Sequence, residues 1–115
     1  MGKIIDFPKT HNYNLIINDL AFEWDILKNR INIKRHRISF ESAVSAFFDE
    51  FGILIKDTLH SETEDRFVLI GYSEECGLSV ICHCFRENEI IRIISARKAT
   101  KREAYVYRGN YEKGI

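Results

Sequence analysis

The sequence predicts an α+β fold: an antiparallel sheet with helices packed on one face, in the order β-α-α-β-β-β-β-α. Three observations predict it. Residues 25–48 alternate apolar and polar positions at helical spacing. Residues 53–96 hold β-branched and aromatic runs separated by short polar turns. Thr100-Lys101-Arg102-Glu103 is a capping box, which starts a final helix.

The elements follow in order. Residues 1–20 carry the only proline, Pro8, and read as an N-terminal extension before a single domain over 21–115; Leu15–Ile17 can add an edge strand. Ala21–Trp24 is a short strand. Asp25 caps a helix running to Lys34 or His36, because its carboxylate can accept from first-turn N–H groups. Ser39 caps a second helix, in which Phe40, Val44, Phe47 and Phe48 share one apolar face, and Gly52 ends it. Ile53–Lys56, Arg66–Tyr72, Leu78–Phe85 and Ile90–Ala96 read as strands of an antiparallel meander, with tight turns at Glu75–Gly77 and Glu87–Asn88. The last helix runs to about Arg108. The second face of the sheet has no helix assigned to it and is left open to a ligand.

The chain's 115 residues make one domain, and 45% hydrophobic with 30% charged residues is the balance of a soluble globule. No apolar run reaches the ~18 residues of a membrane span, and no export signal is visible, so the expected location is the cytoplasm. The odd number of cysteines, Cys76, Cys82 and Cys84, then reads as reduced thiols. These features argue against a membrane protein, a disulfide scaffold or a multidomain enzyme.

Seventeen basic and seventeen acidic residues cancel overall but not locally. Segment 28–37 holds Lys28, Arg30, Lys34, Arg35 and Arg37 without an acid. Segment 41–65 is acidic. Segment 86–108 is basic again, through Arg86, Arg92, Arg97, Lys98, Lys101, Arg102 and Arg108. Such segregation can present a basic face to a polyanion, although solvated surfaces also look like this.

On the first helix, Lys28, Asn29, Asn32, Arg35 and His36 fall in an arc of ~120°, opposite Ile26, Leu27, Ile31 and Ile33. Cations, amides and an imidazole together suit phosphate, the cations for affinity and the amides for position. In the strand 89–98, simple alternation sends Arg92 into an apolar row with Ile90, Ile94 and Ala96. Ile91, Ile93 and Ser95 take the other side. Arg92 must then pair with a carboxylate, Glu64 or Glu89, or line the open face. Arg97 and Lys98 sit beside the N-terminus of the last helix, where a phosphate is favoured. The loop 57–66 offers His60 and Glu64 as proton-transfer groups and Arg66 as a third cation, or is merely a flexible acidic loop. Cys82-His83-Cys84 is no metal site, because a strand puts His83 opposite the two thiols.

Phe22-Glu23-Trp24-Asp25, Lys28-Asn29, Asn32, Arg35-His36, Ile38-Ser39-Phe40-Glu41 and Ala43 form one motif. Asp57, His60-Ser61, Glu64, Arg66 and Gly71 form a second. Arg92 through Thr100, with Glu103, forms a third. In order and spacing they resemble the BrnT family of ribonuclease toxins from type II toxin–antitoxin systems, from Phe22 to about Tyr107.

The resemblance implies a RelE-like fold and an RNA-cleaving activity that arrests translation. It implies a BrnA-like antitoxin through which alone the complex touches operator DNA; no metal or cofactor is expected, because no cluster of carboxylates or His and Cys ligands stands at metal spacing. It points to His36, Glu64, Arg66, Arg92 and Arg97 as catalytic. It points to Lys34 or Arg35 beside His36, with Lys28 and Trp24 behind them; with Asn32 and Lys98 from the phosphate-contact reading above, Trp24, Lys28, Asn32, Lys34, Arg35 and Lys98 are the expected RNA-binding residues. Where the family usually has glycine, this chain has Arg37; a left-handed helix end there costs a non-glycine ~1 kcal/mol. The same residues also admit a module that binds nucleic acid or antitoxin without cleaving.

Overall fold

A computed structural model describes residues 12–60 and 64–114. Six strands form one sheet: β1 (Asn12–Ile17), β2 (Leu20–Asp25), β3 (Ile53–Asp57), β4 (Arg66–Ser73), β5 (Gly77–Arg86) and β6 (Ile90–Lys98). Their spatial order is β1-β2-β6-β5-β4-β3. Between β2 and β3 lie α1 (Ile26–His36), α2 (Phe40–Ala43) and a 3-10 turn, Val44–Phe48; α3 (Lys101–Lys113) closes the chain. The fold is α+β. Within the N-terminal extension, β1 pairs along β2 as the outer strand. Residues 1–11, and Ser61, Glu62 and Thr63 of the polar loop, lie outside the described residues.

The sheet is mixed, not antiparallel, because β2 runs parallel to β6 through Phe22↔Ile91 and Glu23↔Arg92. The intervening helices return the chain to the far edge of the sheet, and the β3-β4-β5-β6 meander then brings β6 in beside β2. Gly77, at φ 79°, takes the left-handed conformation needed where β5 leaves its turn.

The core lies on one face. Phe22, Trp24, Leu69, Ile81, Ile91, Ile93 and Ala96 of the sheet are buried beneath Ile38, Phe40, Ala43 and Val44. Fully burying a side chain such as Phe40 stabilises by roughly 1.5–3 kcal/mol. At Gly71 an added Cβ would stand 2.9 Å from the Ala46 carbonyl, so glycine lets the 3-10 turn approach β4 closely.

The second face is not left open throughout. Val106, Arg102 and Glu103 of α3 share a depression with Ile55, Val68, Ile70 and Arg97 of the sheet. The Tyr107 hydroxyl donates to Asp49 at 2.8 Å, and the Asn110 amide donates to the Phe51 carbonyl at 2.8 Å. So α3 covers the β3–β4 end of this face, and the expectation of helices on one side only is corrected.

The first helix is also turned differently from its wheel. Part of its predicted polar arc faces inward: Asn32 is buried and Asn29 and His36 are half-buried, while Lys28 and Arg35 of the arc stay exposed, as do Leu27, Ile31 and Ile33 opposite it. Both amides serve the backbone. Asn29 Oδ1 accepts from Phe40 N–H at 2.8 Å, and Asn32 bonds to Ile38 and Ala96. Among the described residues no helix is long and apolar enough to cross a membrane.

Candidate active site

A bulge in β6 builds the site. Cys82 pairs with Ser95 and His83 with Ile93, so Ile94 is one residue extra. Beyond it the alternation of β6 reverses. Ala96 joins Ile91 and Ile93 in the core, while Ser95 and Arg97 join Arg92 on the opposite face. Simple alternation would have put Arg92 and Arg97 on opposite sides.

On that face one row crosses five strands in register: Glu23, Arg92, Cys84, Arg66 and Asp57. Arg92 is paired, but with neither Glu64 nor Glu89: its Nη1 donates to Glu23 Oε2 at 2.8 Å and its Nη2 to Asn12 Oδ1 at 3.2 Å. The two charged side chains are 18% and 16% exposed, so this is a half-buried ion pair with both charges already matched.

Arg66 and Arg97 reach a common depression of about 300 Å³, lined also by Asp57, His60, Val68, Val80, Cys82, Ile94 and Ser95. Asp57 ends β3, and the 3-10 turn Thr58–His60 folds the His60 ring back onto it. His60 Nδ1 lies 2.9 Å from Asp57 Oδ2. That hydrogen bond holds the Asp57 carboxyl below its ordinary value. With Asp57 accepting, Nδ1 carries a proton, and in the neutral imidazole Nε2 presents a lone pair.

Arg97 is oriented by Glu103, which takes two guanidinium hydrogen bonds at 2.8 Å. The same carboxylate accepts from Thr100 N–H at 2.8 Å. Glu103 therefore fills the anion position at the N-terminus of α3, where a phosphate was expected. The Arg97 bonds bring the Glu103 carboxyl down to about 2.

His36, Lys28 and Arg35 line a second depression with Ile31, Asn32, Ile94 and Ser95. The two depressions share Ile94 and Ser95 in their linings, with His60 at one and His36 at the other. Glu64 stands apart, half-buried, 4.0 Å from Arg86. It lies beside Cys84, whose thiol is pushed up first by burial and then by this carboxylate. Lys34 and Lys98 are exposed.

Two expected RNA contacts are occupied structurally. Trp24 is 2% exposed, stacked on Tyr13 at 5.0 Å and edge-on to Phe40, so its faces cannot receive a base. Asn32 is buried in backbone hydrogen bonds. The Asp57–His60 pair was visible only as polar loop residues at i, i+3. That spacing was the available signal, and the turn that gives it meaning is tertiary.

Cys82 and Cys84 face the cleft side and His83 faces the core, among Phe47, Phe67 and Phe85. All three cysteines are free, and burial pushes the Cys82 thiol up. Among the described residues no three His, Cys, Asp or Glu side chains gather at metal-holding spacing.

The protein is thus an α+β fold whose sheet carries Arg66, Arg97, His60 and His36 around two adjoining depressions. The chain matches, over residues 24–103, the family model described as the ribonuclease toxin BrnT of type II toxin–antitoxin systems. It belongs to that family. No curated protein matches the chain.

Proposed function

We infer that this chain is a metal-independent endoribonuclease of the RelE-like kind, acting in the cytoplasm to arrest translation. In this reading a BrnA-like antitoxin neutralises it, and operator DNA is reached only through that antitoxin. The observation that carries the reading is the Asp57-held His60 imidazole sharing a depression with Arg66 and Arg97.

RNA supplies its own nucleophile. His60 Nε2 takes the 2′-OH proton, and the 2′-oxygen forms a bond to the adjacent phosphorus. The bond from phosphorus to the 5′-oxygen breaks, and His36 protonates that oxygen from the other side of Ile94 and Ser95. The products are a 2′,3′-cyclic phosphate and a 5′-hydroxyl. Charge grows on the phosphoryl oxygens in the transition state, where Arg66 and Arg97 stabilise it. Lys28, Lys34, Arg35 and Lys98 contribute phosphate contacts outside the reacting centre. Arg92 lines neither depression and is held by Glu23, so it acts as a structural neighbour of the clamp. Glu64, beside Arg86, tunes the field rather than moving the proton.

The test is cleavage of a defined RNA by the purified chain in EDTA, with end-group analysis. Cleavage is expected to persist and to leave cyclic or 3′-phosphate ends. His60→Gln should lower the rate by about 100-fold or more while RNA binding remains. Activity lost on chelation and restored by Mg²⁺ would overturn the mechanism. A chain that binds RNA and never cuts it would be a binding module.

A further inference from the structure

The helix α1 is amphipathic the wrong way round for a helix packed on a sheet. Its inner side holds Asn29, Asn32 and His36. Its outer side shows Leu27 and Ile31, one turn apart, 50% and 56% exposed. Lys28, Arg30, Lys34 and Arg35 surround them, all exposed, and the helix has no acidic residue. Scattered exposed aliphatics are ordinary on a protein surface. A pair ringed by four like charges is a composed strip.

We propose that Leu27 and Ile31 are the anchors on which an acidic amphipathic helix of the antitoxin docks. This rests on the toxin reading above. Three candidate occupants separate by chemistry. RNA supplies negative charge but no aliphatic surface to bury against Leu27 and Ile31. A second copy of this chain supplies aliphatics but sets Lys28, Arg30, Lys34 and Arg35 of one helix against the same four cations of the other. A helix with aliphatic residues at i and i+4, flanked by Asp and Glu, supplies both.

The position explains inhibition. Ile31 also lines the His36 depression, with Lys28, Arg35, Ile94 and Ser95. A helix seated on Leu27 and Ile31 stands over that entrance and shuts the cleft by occupancy, without touching His60. α1 has 11 residues, too few for the ~1,200 Å² of a stable interface, so the partner must continue onto neighbouring surface.

The experiment titrates the full chain with the purified product of the neighbouring reading frame. Leu27→Asp puts like charge where an acidic helix would land, and Leu27 lines neither depression, so RNA cleavage by the variant alone should match the parent. Its affinity for the product should fall about tenfold or more. Arg30→Glu should weaken binding and reduce its salt dependence. Circular dichroism checks that each variant is folded. A Leu27→Asp chain that binds as tightly as the parent overturns the proposal, as does a product that does not bind. Leu27-dependent binding to phosphatidylglycerol vesicles, with product binding unchanged, would assign the strip to a membrane surface instead. Absence of cleavage by the parent chain would sink the ribonuclease reading and leave the docking result standing.

Discussion

The side-chain amide of Asn32 stands in for a strand against Ala96. Its Nδ2 donates to the Ala96 carbonyl at 2.8 Å, and its Oδ1 accepts from the Ala96 N–H at 3.1 Å. The parallel ladder between β2 and β6 covers only two residue pairs, and α1 then leaves the sheet. Without Asn32 the N–H and C=O of Ala96, just past the bulge, would be buried without this partner. A second Nδ2 bond, to the Ile38 carbonyl at 2.9 Å, ties in the chain after the helix.

Asn32→Ala is therefore expected to destabilise the fold by about 3 kcal/mol, since buried N–H and C=O groups lose their partners. Urea denaturation followed by tryptophan fluorescence measures it. An unchanged midpoint would show that the amide is not needed for stability.

Arg37 ends α1 in the left-handed conformation, at φ 61° and ψ 27°, with its N–H on the Ile33 carbonyl at 2.8 Å. Arg37 has a Cβ, which this conformation disfavours, and the guanidinium is exposed. Arg37→Gly should stabilise by roughly 1 kcal/mol and raise the melting temperature by a few degrees. A lower melting temperature would show that the side chain makes a stabilising contact.

The arginines should separate by assay. Arg92→Ala leaves the half-buried Glu23 carboxylate without its partner and should cost about 2 kcal/mol. Replacing both as Glu23→Gln with Arg92→Met should recover much of that. Arg66→Ala and Arg97→Ala should keep the fold by circular dichroism and lose roughly 100-fold in cleavage. Cleavage lost in Arg92→Ala with full stability would restore Arg92 to the clamp.

Two groups set opposite-charge pH limits on stability. Burial pushes the His83 imidazole down from 6.5, so below about pH 6.5 the unfolded chain takes up the proton first. Stability should be full above that pH and decline as pH falls further. His83→Phe should flatten this slope in urea titrations. Glu103 sits at about 2 against an ordinary 4.5, chiefly through its Arg97 hydrogen bonds. Its contribution is present above pH 4.5 and is lost as pH falls toward 2, and Glu103→Gln should remove that second slope. Unchanged pH curves in both variants would count against these assignments.

Local chemistry was legible wherever one residue acts on its own segment. Asp25, Ser39 and the Thr100–Glu103 box cap helices as their types require. The meander strands begin and end near their predicted limits, because β-branched runs and turn residues act over a few positions. The spacing of three motifs also made the family visible in the chain.

Tertiary structure decided which residues meet. One inserted residue, Ile94, moved Arg97 onto the face of Arg92, a shift that alternation cannot anticipate because a bulge arises from pairing with the neighbouring strand. The wheel of α1 placed its amides correctly around the helix but could not say which side faced protein. Asn32 faces inward because a helix beside an open strand edge meets backbone polar groups, which an amide satisfies and an aliphatic does not, and Asn29 because it meets the Phe40 N–H at the start of α2. Pairing across sequence distance likewise chose Glu23 for Arg92, because only the parallel contact of β2 with β6 brings those two residues together.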